Sequence, residues 1–265
     1  MEDLEIHTLL CKRDVQWYIY SIRLFKEYSK LKFTTIIHDD GTLETEDIVN
    51  LTSEIEHLII IDRNIADECI EKHLQNHTYC RKFRLAQYHT IFRIKLFDPF
   101  IFTKSHNIIY MDADILFCKK PHVINYSINN KNGFYIKDSW SSYCIPFRDE
   151  NNDTQIDRFI NAGLTYFPTK EHYNLNYVEK CLKILYKHGA ENITHQFLEQ
   201  TCIAYMITQL KREGIQFNQL PHPEYCIPTF GKFIQEHNLT VLHLNSSRLV
   251  GSFKNEHYEY ELNKL

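Results

Sequence analysis

Over the first 111 residues short apolar runs alternate with stretches of helical periodicity, and this alternation restricts the fold more than any other feature of the chain. Leu4 to Cys11 reads as a strand, and Val15 to Tyr28 sets Trp17, Tyr20, Ile22, Leu24 and Phe25 at the spacing of an amphipathic helix. "KFTTIIHDDG" reads as a second strand ending in a turn at Asp39 and Asp40, residues 46 to 52 as a short helix, and "EHLIIID" as a third, buried strand. A long helical stretch is expected from Ile65 to about Asp98, interrupted near Asn76, before "HNIIYM" forms the fourth strand. Strands separated by helices in this way build a mainly parallel α/β sheet covered by helices. Such sheets bind ligands at the carboxyl ends of their strands.

Downstream, "GFYIKD" and "LTYFPT" read as further strands, Tyr177 to Lys187 and Gln196 to Arg212 as helices, and "LTVLHL" as a late strand. No repeat or low-complexity linker interrupts the pattern, so residues 1–265 are expected to form one domain, and 43% hydrophobic content suffices for its core. A net charge of −4 gives no general attraction to nucleic acid or anionic membrane. The start, "MEDLEIHTLL", is acidic where a signal peptide is basic, and no apolar stretch approaches a membrane span. A soluble, cytoplasmic protein is therefore expected, and its eight scattered cysteines, without zinc-ligand spacing, are expected to be reduced thiols. The seven glycines, at 41, 133, 163, 189, 214, 231 and 251, exclude both GxGxxG and the P-loop. Any nucleotide phosphate must then be met by a metal or by basic side chains.

The fourth strand ends in "MDADILF", which places Asp112 and Asp114 where an ordinary strand has one polar turn residue. In an extended segment side chains at i and i+2 point the same way, so the two carboxylates can converge on one hard divalent cation. A solvated turn or a helix cap is the plain alternative.

"IIYMDADILF" resembles the DxD segment of family-eight glycosyltransferases, the group of glycogenin and the bacterial lipopolysaccharide galactosyltransferases, whose domain is the Rossmann-like GT-A fold. The resemblance implies that Asp112, Ala113 and Asp114 meet a nucleotide sugar, with a UDP-linked donor and a Mn²⁺ ion, or Mg²⁺, bridging its diphosphate. It also implies a hexosyltransferase that retains anomeric configuration. A donor-binding half would cover about 1–120 and a sugar and acceptor half about 121–265. The acceptor would be a glycan, a lipid-linked molecule or a protein.

Four further segments match the family in order. "TIFRIKLFDPF" reads as a helix ending near Pro99, and offers Arg93, with Lys95 close behind, as the basic residue that contacts the donor. "GFYIKD" ends in Asp138, at the family's position for an acid near the sugar. "RFINAGLTYFPT" offers the donor and acceptor groups of Asn161 to sugar hydroxyls, and Gly163 for close backbone approach. "HQFLEQTCIAYM" carries Glu199 and Gln200 where the family usually has Asp and Gln.

The third metal ligand implied is His243, at the end of an apolar run in "TVLHLNSSRLVGSFK", and its nitrogen favours Mn²⁺ over Mg²⁺. An ordinary imidazole would lose metal as pH falls through the mid-sixes. The chain departs from the family's His-x-x-Gly-x-x-Lys-Pro-Trp here, so Arg248 and Lys254 compete as the residue covering the diphosphate. Two other readings stand beside this one: a non-catalytic sugar- or metal-binding member of the fold, and a haloacid-dehalogenase-type phosphatase, whose DxDx(T/V) pattern meets Leu116 at its fifth position.

Overall fold

A computed structural model describes residues 4–86, 91–139, 142–144, 147, 156–189, 197–227 and 239–244. The strands are β1 (Leu4–Leu10), β2 (Thr34–Asp39), β3 (Leu58–Ile61), β4 (Asn107–Met111), β5 (Ile115–Phe117), β6 (Gly133–Lys137), β7 (Ile160–Phe167), β8 (Phe217–Gln219), β9 (Tyr225–Cys226) and β10 (Val241–His243). The helices are α1 (Val15–Ser29), α2 (Thr45–Glu54), α3 (Arg63–His73), α4 (Thr78–Leu85), α5 (Phe92–Phe102), α6 (His122–Asn129), α7 (Leu175–Lys187) and α8 (Leu198–Arg212). Seven strands form the main sheet in the order β3-β2-β1-β4-β7-β6-β8, and β5-β10-β9 form a small second sheet. Among the described strands of the main sheet, β1 to β4 are mutually parallel and only β7 runs against its neighbours.

The chain winds outward from β1 to β3 and then returns to the other side of β1 as β4. That reversal makes a topological switch point, and the crevice it opens lies at the carboxyl ends of β1 and β4. One apolar layer packs α1, α2 and α6 on the sheet through Tyr18, Phe25, Leu51 and Ile124. The other packs α4, α5, α7 and α8 through Phe83, Leu96, Val178 and Cys202.

Three expectations change. β3 is an edge strand rather than a buried one, and its Ile59 is 41% exposed. The helical stretch after it breaks near Asn76 as expected, but it also ends at Leu85 before α5 starts at Phe92, which makes three helices. Asp62 caps α3 by accepting from the N–H groups of Asn64 and Ile65. The Glu179 carboxylate, reaching across from α7, accepts from the N–H groups of Tyr79 and Cys80 at the start of α4. Finally, α5 continues through Pro99 to Phe102. Tertiary contacts hold that last turn: the Tyr173 hydroxyl donates to the Leu96 carbonyl, and its ring stacks on Phe100 with centroids 3.6 Å apart. The turn expected after β2 is present, with Asp39 accepting from the N–H of Gly41 at 2.8 Å.

Buried polar groups fix α5 against α4. Arg84 grips Asp98 through two hydrogen bonds of 2.9 and 3.1 Å and reaches Asp67 at 2.7 Å. All eight cysteines are free thiols. Among the described residues no helix is long and apolar enough to cross a membrane.

Candidate active site

Asp112, Ala113 and Asp114 form the turn that joins β4 to β5, where the Ile115 N–H donates to the Asp112 carbonyl at 3.3 Å. The two carboxylates therefore converge through a turn and not through the pleat of an extended strand. The reason is that β5 leaves the main sheet to pair with β10. Two backbone hydrogen bonds tie the turn down: the Asp112 N–H donates to the Gly163 carbonyl at 2.7 Å, and the Leu244 N–H donates to the Asp114 carbonyl at 3.0 Å.

Asp112, Asp114 and His243 each present a ligand atom, and these atoms lie within 4.8 Å of one another. His243 Nε2 stands 3.2 Å from Asp114 Oδ1 and 3.5 Å from Asp112 Oδ2. Its buried Nδ1 has no hydrogen-bond partner among the described residues. Gly163 makes the approach possible, because a Cβ there would fall 2.2 Å from His243 Cε1 and 2.7 Å from Asp112 Oδ2. A cradle that only glycine leaves open, lined by two carboxylates and an imidazole, fits a divalent ion that accepts both oxygen and nitrogen.

Burial alone would lower the pKa of His243, but the charge of Asp114 and hydrogen bonds to Asp112 and Asp114 outweigh it and raise the ring to about 9. The mid-sixes threshold of an ordinary imidazole therefore shifts upward. A divalent ion held at Nε2 would have to displace that proton, so its affinity would climb by about tenfold per pH unit toward about pH 9. Anaerobic Mn²⁺ titrations at several pH values check this, and an affinity that is flat above neutral pH would count against His243 as a ligand.

Lys95, on α5, lies with Nζ 2.8 Å from Asp112 Oδ1 and 3.4 Å from Glu199 Oε1. The Tyr110 hydroxyl donates to the same Asp112 oxygen at 3.0 Å. Burial would push Asp112 up, but Lys95 and His243 hold it below the usual carboxylate range. Glu199 goes the other way, because burial raises it to about 7 against the pull of Lys95.

On the far side of Gly163 stands a second cluster. Gln200 donates through Nε2 to Asp138 Oδ2 at 2.8 Å and accepts at Oε1 from Asn161 Nδ2 at 3.0 Å. Asn161 Oδ1 in turn accepts from the Gly163 N–H at 2.8 Å. One hydrogen-bonded chain thus runs from Asp138 through Gln200 and Asn161 to Gly163, and on through the Gly163 carbonyl to Asp112.

The structure thus brings together Asp112, Ala113, Asp114, Asp138, Asn161, Glu199, Gln200 and His243. Arg93 is half-buried, and its Nε donates to the Arg84 carbonyl at the end of α4 at 3.2 Å. Lys95, named second to it, is the basic side chain on the aspartate turn. Arg248 and Lys254 lie outside the described residues. One residue of the site went unremarked in the sequence: Tyr110, whose hydroxyl donates to Asp112.

Three solved structures share this architecture. Mouse xyloside xylosyltransferase 1, in its apo form, superposes with a TM-score of 0.59 at 14% identity over 92% of this chain and 98% of that one. The galactosyltransferase LgtC, in complex with donor and acceptor sugar analogs, gives a TM-score of 0.57 at 11% identity over 92% and 88%. The apo bifunctional glycosyltransferase WbbM gives 0.61 at 12% identity over 99% of this chain and 51% of that one. No curated protein matches the chain by sequence.

The fold is the GT-A fold of nucleotide-sugar-dependent glycosyltransferases, with the aspartate turn at the carboxyl end of its fourth strand. The model of glycosyl transferase family 8 matches residues 14–243, and the chain belongs to that family. It is a glycosyltransferase, which sets the phosphatase reading aside.

Proposed function

We propose that the chain transfers a hexosyl group from a UDP-linked sugar to a hydroxyl of a glycan, lipid-linked or protein acceptor, using a divalent cation, Mn²⁺ best, held by Asp112, Asp114 and His243. The carrying observation is the convergence of those three side chains within 4.8 Å at the switch-point crevice. A bound cation would supply Lewis-acid neutralisation of the charge that develops on the departing diphosphate. Net retention is the stereochemical course we assign, on the family likeness, with NMR of the product anomer as its check.

The remaining roles follow from chemistry on the protein side. Gln200 is held at both ends of its amide, by Asp138 and by Asn161, so it is pre-oriented. Asn161 has committed its carbonyl to Gly163 and one N–H to Gln200, which leaves its second N–H for a sugar hydroxyl. Glu199 is a buried carboxyl beside Gln200 that can accept from another hydroxyl. Arg93, Arg248 and Lys254 are our candidates for the diphosphate.

A screen of nucleotide sugars for Mn²⁺-dependent release of nucleoside diphosphate tests the reaction, and no release from any donor with any acceptor class would sink it. Gln200→Ala and Asn161→Ala are expected to lower kcat by about 10²-fold while leaving calorimetric affinity for UDP plus Mn²⁺ within about twofold. Arg93→Ala is expected to weaken UDP itself. If Gln200→Ala loses UDP as badly as Arg93→Ala, the division between sugar and diphosphate is wrong.

A further inference from the structure

We infer that Lys95 is an internal counter-cation of the active site, competing with the divalent ion for Asp112 and thereby setting how tightly that ion is held; this rests on the metal assignment proposed above. Lys95 Nζ lies 2.8 Å from Asp112 Oδ1 and 3.0 Å from Oδ2, so it engages both oxygens of the carboxylate. Oδ2 is the oxygen that faces His243 Nε2 at 3.5 Å. Oδ1 also accepts from the Tyr110 hydroxyl at 3.0 Å, which leaves Oδ2 as the contested atom.

The lysine is committed to this place. Its side chain is 6% exposed, and Nζ stands 4.7 Å from the centroid of the Tyr110 ring. On its other side is Glu199 Oε1 at 3.4 Å, a buried oxygen with no closer hydrogen-bond partner among the described residues. A buried carboxylate beside a half-buried one is costly without a cation, and an ammonium group, a compact charge with three donors, can serve both. The helix that carries it is itself anchored by the Arg84–Asp98 pair.

Competition and orientation predict opposite signs. A lysine that merely oriented Asp112 would strengthen metal binding, and its removal would weaken it by the usual outer-shell loss. A unit positive charge a few ångströms from the cation, in a site of low effective dielectric, instead opposes it.

The test titrates Mn²⁺ alone into the full chain, reading free ion by electron paramagnetic resonance, for wild type, Lys95→Met, Glu199→Gln and Lys95→Met/Glu199→Gln. Circular dichroism of each variant reports the fold. Lys95→Met is expected to bind Mn²⁺ at least about tenfold more tightly than wild type, Glu199→Gln more weakly, and the double variant more tightly than Glu199→Gln. A folded Lys95→Met with unchanged or weaker affinity overturns the inference. If that single variant loses its fold, the double variant, which removes the cation together with one of its anions, decides by the same sign against Glu199→Gln. Wild-type protein that binds no Mn²⁺ overturns the metal assignment itself, which keeps the two failures distinct.

Discussion

Asp114→Asn is expected to lower turnover by about 10³-fold or more while leaving the fold intact. The substitution keeps the size of the side chain and removes the charge of a hard oxygen ligand, and Lewis-acid stabilisation of a leaving group is worth several kcal/mol at about 1.4 kcal/mol per tenfold. Asp114 is the cleaner target of the pair, because its side chain is 27% exposed and it lacks the lysine that Asp112 shares. Initial rates with and without excess EDTA, next to thermal unfolding curves, provide the measurement. Wild-type turnover that persists in EDTA, or an Asp114→Asn variant of ordinary activity, would remove the metal from the mechanism.

Gly163→Ala adds a single methyl group, and its effect is expected to approach that of losing a ligand. The new Cβ would stand 2.2 Å from His243 Cε1, 2.8 Å from His243 Nδ1 and 2.7 Å from Asp112 Oδ2, well inside contact distance. His243 is buried on β10 and the Asp112 carboxylate is held by Lys95 and the Tyr110 hydroxyl, so each can retreat only by giving up packing or those contacts. Overpacking of this kind costs about 1–3 kcal/mol of stability. Displacing two ligands at once should reduce Mn²⁺ affinity by about 10–100-fold, with a matching loss of turnover. The readouts are metal titration and melting temperature, and a variant with wild-type values of both would show that the cradle is looser than the distances imply.

The sheet was legible because strand and helix periodicity are local. Leu4–Leu10, Thr34–Asp39 and Asn107–Met111 carry their apolar patterns within themselves, and the aspartate pair announces itself directly after the last of them. β5, α6, β8 and β9 went unread, since three of these are strands of two or three residues that exist only through pairing with distant partners. The break between α3 and α4 was visible near Asn76, but the cap that starts α4 was not, because Glu179 comes from another helix. Spacing alone did not show that Lys95, and not Arg93, lies against the aspartate turn. Two positions apart on one helix, they point in different directions, one to the Arg84 carbonyl and the other to Asp112.

By itself the sequence determined a helix-covered, mainly parallel sheet, the absence of any glycine cradle for phosphate, and the residues from which a metal and sugar site could be drawn. These follow from side-chain pattern and residue chemistry, which belong to each segment alone. Only the tertiary structure decided that Asp112 and Asp114 converge through a turn, that His243 reaches them over a missing Cβ at Gly163, and that Lys95 holds Asp112 and Glu199 together. Each of those is a distance between segments far apart in the chain, and such distances are fixed by the packing of β7, β10, α5 and α8 around one crevice.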